Sequence, residues 1–402
     1  MPRAAFDIAA TSNMASDRRP SILMVTTVDV TLSAFLAPLA ESLRASGWRV
    51  DALARSATTS PSVAEAFDGT IDMPWRRSAV SLLALAALAR RVRAVVRAGD
   101  YDIVHVHTPV AGFATRFALR RSLRPVVVYT AHGFHFHRYG RQVANTLYLA
   151  AERLAGPWTD FLVVINHEDQ DAARRYRIVP AGRIRFMPGI GVDTARYNPE
   201  SVSENRVAKF RAELGLASDE KLVLMVAEFN AGKRHRDVLE AFALIERRQI
   251  HLAFAGSGPR MEAERRRAAG LGVAARVHFL GQRDDVPTLM RAASLVVLPS
   301  EREGLSRSVM EAMALGVPVV GSDARGIRDL LEGGCGLVVP VGDTAALAKA
   351  IEWVLEHPHE SAELSRRARQ RVEEFSLERV VRLHHELYAE ALQVGENVEA
   401  GR

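Results

Sequence analysis

Short apolar runs that alternate with longer helical segments constrain this chain more than any other feature. Ile22–Thr27, Arg49–Ala54, Ile103–His107, Val126–Thr130 and Phe161–Asn166 read as strands, and Leu36–Ser46, Leu82–Arg97, Gly112–Arg121 and Asn145–Leu154 as helices. Strands that are apolar throughout, rather than at alternate positions, must be covered on both faces, and helices between them indicate a parallel sheet. The pattern then restarts. Strands are expected at Val223–Ala227, His251–Ala255, Val277–Leu280, Leu295–Pro299, Val317–Gly321 and Gly336–Pro340, with helices at Arg236–Arg247, Arg260–Ala269 and Ser308–Leu315. The expected fold is α/β, two doubly wound Rossmann-like domains facing across a cleft. Ligands in such sheets lie beyond the C-terminal ends of the strands.

A length of 402 residues suits two domains. Gly189–Pro199, rich in Gly and Pro, follows strand-like Ile184–Met187 and places the linker near Asn198. This divides the chain into a tail (1–20), a first domain (21–197), a second domain (198–376) and a C-terminal helix (377–402). Met1–Pro20 lacks the apolar core of a secretory signal and reads as a disordered tail. Ala79–Ala89 is too short to span a bilayer, for which about 20 apolar residues are needed. The single cysteine, Cys335, excludes an intramolecular disulfide framework and suits a reducing cytoplasm.

Glu303 and Glu311 frame a turn that runs into a helix just after strand Leu295–Pro299. On one continuous helix the eight-residue spacing would set them about 80° apart. With Glu303 in the loop and the helix starting near Arg307, both can border one cleft. A helix N-terminus presents unpaired amides and partial positive charge to a diphosphate, and carboxylates accept hydrogen bonds from sugar and ribose hydroxyls. A sugar nucleotide combines both. The bland alternative is an acidic loop residue beside a solvated helix residue.

Several segments weigh against that alternative by their order. Pro299-Ser300, Glu303-Gly304 and Glu311–Val320 resemble the signature of retaining glycosyltransferases of family 4, which have the GT-B fold. So do Val104–Pro109, Tyr129–Phe136, Gly189–Asp193, Ala255–Pro259 and Val277–Gly281, and the similarity runs from Ile22 to about Leu392. The resemblance implies a nucleoside diphosphate sugar donor, UDP-linked by preference, and no metal or other cofactor. Glu303 would bind donor-sugar hydroxyls, Glu311 the ribose, and the amides of Gly304, Leu305 and Ser306 the phosphate and sugar. Lys233 would neutralise the leaving diphosphate. Glu228 stands where many relatives carry a second basic ligand, and Arg234 is the candidate substitute. His132 resembles the histidine that approaches the sugar's hydroxymethyl group, the alternative being a structural histidine. His107, His135 and Arg138 are the acceptor-side candidates, the last two from a segment that resembles members extending lipid-linked saccharides or exopolysaccharide precursors. The resemblance also implies that the last helix crosses back onto the first domain.

His105 and His107 share one face of a strand, as metal ligands would, but no third ligand follows at a suitable spacing. Gly256-Ser257-Gly258-Pro259 lacks the third glycine of a dinucleotide fingerprint, and Gly232-Lys233 lacks the remainder of a P-loop. Charge is uneven: residues 1–200 hold 25 Lys/Arg against 17 Asp/Glu. Leu82–Arg97 and Phe113–Arg121 mix basic and apolar residues, as a helix on an anionic membrane surface does and as a helix packed on a sheet does. Peripheral contact at the inner face of the cell membrane is one expectation. Nucleic acid is not expected as a partner, because no recognition motif accompanies the charge. Two rival functions remain open, a sugar-nucleotide epimerase on the same fold and an inactive sugar-nucleotide-binding subunit.

Overall fold

The computed structural model describes residues 18–75, 82–122, 124–138 and 140–400. Residues 1–17 of the expected tail, residues 79–81 of the apolar stretch, and Tyr139 lie outside the described residues.

In the first lobe, β1 (Ser21–Val28) leads through a single turn, α1 (Asp29–Thr31), and a π-helical turn at Leu32–Leu36 into α2 (Ala37–Ala45). There follow β2 (Arg49–Arg55), α3 (Pro61–Ala66), β3 (Gly69–Asp72), α4 (Leu82–Gly99), β4 (Ile103–Val106) and α5 (Pro109–Leu119). The lobe ends with β5 (Val126–Ala131), α6 (Gln142–Ala155), β6 (Phe161–Val164), α7 (His167–Arg175) and β7 (Ile184–Phe186). Its seven strands, all parallel, are ordered β3-β2-β1-β4-β5-β6-β7. Core side chains cover both faces. Leu23, Val25, Val104 and Val106 pack under α4 and α5, and Ile22, Met24, Ile103 and Val128 pack on the other side.

The second lobe runs α8 (Glu204–Glu213), β8 (Lys221–Val226), α9 (His235–Leu244), β9 (Ile250–Ala255), α10 (Met261–Gly270), β10 (Val277–Gly281), α11 (Val286–Ala292) and β11 (Leu295–Leu298). It continues with α12 (Arg307–Ala314), β12 (Val319–Ser322), α13 (Arg325–Leu331), β13 (Leu337–Val339), α14 (Thr344–Glu356) and α15 (Pro358–Arg371). Its six-stranded parallel sheet has the order β10-β9-β8-β11-β12-β13. A final helix, α16 (Leu377–Ala400), places Leu387, Tyr388 and Ala391 in the core of the first lobe. Ser42 Oγ lies 3.0 Å from His385 Nε2 of that helix, and Arg185 pairs with Glu390.

Strand order reverses between β1 and β4 in one sheet and between β8 and β11 in the other. At such switch points adjacent loops leave in opposite directions and open a crevice. Several elements were not legible from apolar periodicity. Helix α7 buries only Asp169 and Ala173, and β3 is a half-exposed edge strand.

Candidate active site

The two crevices open onto one cavity of about 720 Å³ between the lobes. The first lobe contributes Thr31 and Phe35, His107 and Thr108 after β4, and His132, Gly133 and His135 after β5. The second contributes Glu228 and Lys233 after β8, Gln282–Asp284 after β10, and Glu303–Ser308 with Glu311 after β11.

Local chemistry builds each wall. Asn230 caps the turn Ala231–Lys233 by accepting from the Lys233 amide at 3.1 Å, and the Glu301 amide donates to Gly232 O at 2.9 Å. The lysine loop is thereby tied to the glutamate loop, and Lys233 Nζ lies 2.5 Å from Glu303 Oε1. Gly256 and Gly258 let the β9 loop approach the Ala227–Phe229 backbone. A Cβ on Gly258 would stand 2.6 Å from Phe229 O, while Phe229 N donates to Ser257 O at 2.9 Å. That glycine pair supports the lysine loop. Ser306 caps α12, its hydroxyl accepting from Val309 N, so that the helix N-terminus faces the cavity.

Glu311 is 5% exposed. Burial pushes its carboxyl above the usual range, opposed by Arg307, whose Nε donates to Oε1 at 2.8 Å, and by a hydrogen bond from Tyr197. The Tyr197 phenol is pushed up in turn, by burial first and then by Glu311. Tyr197 comes from the linker segment and Arg307 from inside the glutamate motif. Tyr197 carries no sequence signal for its contact with Glu311, whereas Arg307 precedes Glu311 by one helical turn (i,i+4). Arg307 also donates to Ala34 O of the first lobe at 3.2 Å.

On the first-lobe wall, His107 Nδ1 and His132 Nε2 are 3.2 Å apart and their rings stack. Burial holds His132 neutral, its pKa lowered to about 4, and burial and then the neighbouring rings hold His107 well below the usual imidazole value. His135 is likewise lowered to about 4, by burial and then by Arg302 and Arg325. His105 lies deeper. Its two nitrogens meet Tyr388 OH at 2.6 Å and Thr130 Oγ1 at 2.7 Å, so it is a packed sheet residue. Among the described residues no group of three or more His, Cys, Asp or Glu is placed to hold a metal ion.

His107, His132, His135, Lys233, Glu303, Gly304, Leu305, Ser306 and Glu311 thus meet in one cavity. Two expected residues do not. Arg234 adopts a left-handed conformation (φ 57°), pairs with Asp237 at 2.5 Å and with Glu301 at 3.7 Å, and does not line this cavity. Arg138 is 70% exposed, 4.0 Å from Asp323, and lines a different interlobe cavity. Of the two readings of the basic stretches, the structure shows packing on the sheet. Arg116 is buried against Glu152 at 2.9 Å, and Arg93 donates twice to Ala118 O, so α5 and part of α4 form core. Exposed apolar side chains form a stripe on α6, where Val143, Leu147 and Leu154 are 76%, 66% and 57% exposed, and Leu83 at the start of α4 is 85% exposed.

Residues 31–189 match the model described as a glycosyl transferase 4-like domain, and residues 207–371 match glycosyl transferases group 1. EpsD of Bacillus subtilis (strain 168), named as a candidate glycosyltransferase, is 35% identical over 92% of this chain and 96% of its own length. The chain belongs to the family 4 glycosyltransferases. A second member, the UDP-Gal:α-D-GlcNAc-diphosphoundecaprenol α-1,3-galactosyltransferase of Escherichia coli, is 28% identical over 64% of this chain and 67% of that protein. Solved structures agree in fold. HepE of Anabaena in complex with UDP superposes with a TM-score of 0.77 at 21% identity, covering 93% of this chain and all of that one. Sucrose-phosphate synthase of Thermosynechococcus elongatus has a TM-score of 0.77 at 26% identity, covering 92% and 99%. The architecture is GT-B, and the chain is a glycosyltransferase.

Proposed function

We propose that this glycosyltransferase moves a sugar, with retention of anomeric configuration, from a UDP-linked donor to a hydroxyl of a lipid-diphosphate-linked saccharide in cell-surface polysaccharide synthesis. The carrying observation is the cleft pairing of Lys233 with Glu303, with buried Glu311 below and neutral His132 opposite. Lys233 and the α12 N-terminus offer positive charge to the diphosphate, so the reading requires no metal ion. Glu303 accepts from donor-sugar hydroxyls and Glu311 from the ribose. Until the donor arrives, Lys233 and Glu303 satisfy one another. His132, uncharged at neutral pH, meets the hydroxymethyl group without opposing Lys233.

In this reading the acceptor hydroxyl attacks on the leaving-group face, and a phosphate oxygen of the departing diphosphate takes its proton. No enzymic nucleophile is assigned. Lobe closure aligns the two substrates and excludes water. The UDP-sugar and lipid-diphosphate names of the Escherichia coli relative support the substrate classes, as does the UDP held by the Anabaena protein. The exposed stripe on α6, flanked by Arg141 and Arg153, supports contact with the membrane that carries such an acceptor. No helix among the described residues is long and apolar enough to cross a membrane.

The test is calorimetric titration of UDP, GDP, dTDP and ADP sugars into the wild type and into Lys233→Ala. Binding of a UDP-sugar weakened at least about tenfold by the substitution, as expected for loss of a charge-assisted contact to diphosphate, supports the reading. Preference for another nucleotide, or equal affinity in the variant, overturns it.

A further inference from the structure

Two charged side chains, one from each lobe, are buried where the lobes meet. Arg325 opens α13 and Asp169 lies in the first turn of α7. Their side chains are 3% and 1% exposed, and Nη1 donates to Oδ1 at 2.6 Å. The other guanidinium nitrogens donate to backbone, Nη2 to Phe134 O and Nε to Glu303 O at 3.1 Å. Asp169 also accepts from Phe134 N at 3.2 Å and from Asn166 Nδ2 at 2.8 Å, and the same amide reaches Gly304 O at 3.1 Å. One guanidinium therefore joins the loop that carries His132, the loop that carries Glu303, and the start of α7. The junction is tight: a Cβ on Gly133 would stand 3.1 Å from Gly304 Cα.

Stability alone does not account for this pair. Taking both ions out of water costs about as much as their attraction returns, and well-packed apolar side chains hold an interface more firmly. Burial pushes the Asp169 carboxyl up and the Arg325 guanidinium down, each against the pull of its partner. An arginine–carboxylate pair adds direction, because the planar fork fixes the groups it binds. Weak net adhesion with strict geometry is what a cleft needs if it must close for transfer and open for release. Neither side chain lines the cavity assigned to the donor.

We propose that Arg325 and Asp169 are positioning residues for sugar transfer, pairing on lobe closure to set the His132 and Glu303 loops at the working distance. The inference rests on the functional reading above for what those loops do, but not for the closure itself.

Three variants test it: Arg325→Lys, Asp169→Asn, and the double Arg325→Met/Asp169→Leu. Lysine keeps the charge but cannot serve three acceptors in fixed directions. In the two single variants kcat falls about a hundredfold, the scale of a 1 Å misplacement, while UDP affinity stays within about twofold because the second lobe holds the nucleotide. The double variant regains the thermal midpoint without regaining kcat. X-ray scattering with UDP bound shows a larger radius of gyration in all three than in the wild type. Unchanged kcat in both single variants overturns the proposal, and so does recovery of kcat with the midpoint in the double variant. If the wild type transfers no sugar, the functional reading fails, and scattering alone decides closure: equal radii in wild type and variants overturn it.

Discussion

Gly304→Ala adds one methyl group at the point where the lobes touch. Gly304 is not among the glycines with positive φ, so alanine strains no backbone dihedral there and the effect is steric. The new Cβ would stand 2.9 Å from the His132 carbonyl carbon, with the oxygen nearer still, and 3.0 Å from Ile165 Cδ1. Ordinary carbon–carbon contact is about 3.5–4.0 Å, so the shortfall is about 0.5–1 Å at the carbons, and the nearer oxygen requires about 1 Å or more. Both obstacles belong to the opposite lobe. The least costly relief is therefore to part the lobes by that distance, which separates His132 from Glu303. A misplacement of about 1 Å lowers kcat on the order of a hundredfold, or about 2.7 kcal/mol of barrier. Each lobe keeps its own core, so the thermal midpoint should move by no more than about 4 °C. Steady-state kcat with the preferred sugar nucleotide, beside UDP affinity by calorimetry, reads the effect. Gly326→Ala is the control, because its Cβ would meet Gly304 and Leu305 of its own lobe at 2.6 and 3.0 Å. It should displace the donor loop and weaken UDP binding as well as turnover. A Gly304→Ala enzyme with wild-type kcat, or one whose loss follows UDP affinity alone, would refute the reasoning.

Other consequences follow from burial. His132 and His384 have pKa values lowered to about 4, so between pH 6.5 and 4 the unfolded chain binds protons that the folded chain does not. Stability is complete above pH 6.5 and declines as pH falls, by on the order of 1–2 kcal/mol per histidine at pH 5. A thermal midpoint that stays flat from pH 7.5 to 5 would contradict this. Glu152→Ala should cost about 3–5 kcal/mol in denaturant unfolding. It strands Arg116, which is 1% exposed, and removes the acceptor of the Tyr129 hydroxyl at 2.9 Å; a loss below 1 kcal/mol would show the charge is solvated otherwise. Val143→Glu with Leu147→Glu should reduce sedimentation with anionic vesicles at least about tenfold, since each side chain contributes about 1.5–3 kcal/mol when buried. Binding that depends on Arg90 and Arg91 instead would return the membrane face to α4.

The architecture was legible because continuous apolar strands admit few arrangements, and the site because its residues cluster at strand ends. Lys233, Glu303 and Glu311 follow β8 and β11, the neighbours at the switch point of their sheet. What escaped depended on groups far apart in the chain. Asp169 and Arg325 are 156 residues apart, and His105 and Tyr388 are 283 apart. Neither pair leaves a local signal. Arg234 follows Lys233 in sequence, but its own backbone is left-handed and its guanidinium pairs with Asp237 and Glu301 instead of lining the cavity. The basic, apolar segments of α4 and α5 illustrate a degeneracy. A helix that packs on a sheet and one that lies on a membrane share one pattern, and only burial tells Arg116 of the core from the bare stripe on α6.

The most direct test of the central claim is transfer itself. The wild type, Glu303→Ala and Lys233→Ala are each incubated with a UDP-sugar labelled in the sugar and with membrane extract, and label is followed into the solvent-extractable lipid fraction. Incorporation should match UDP release in the wild type and fall at least about a hundredfold in both variants. Release of UDP without lipid labelling, or equal incorporation by all three proteins, would contradict it.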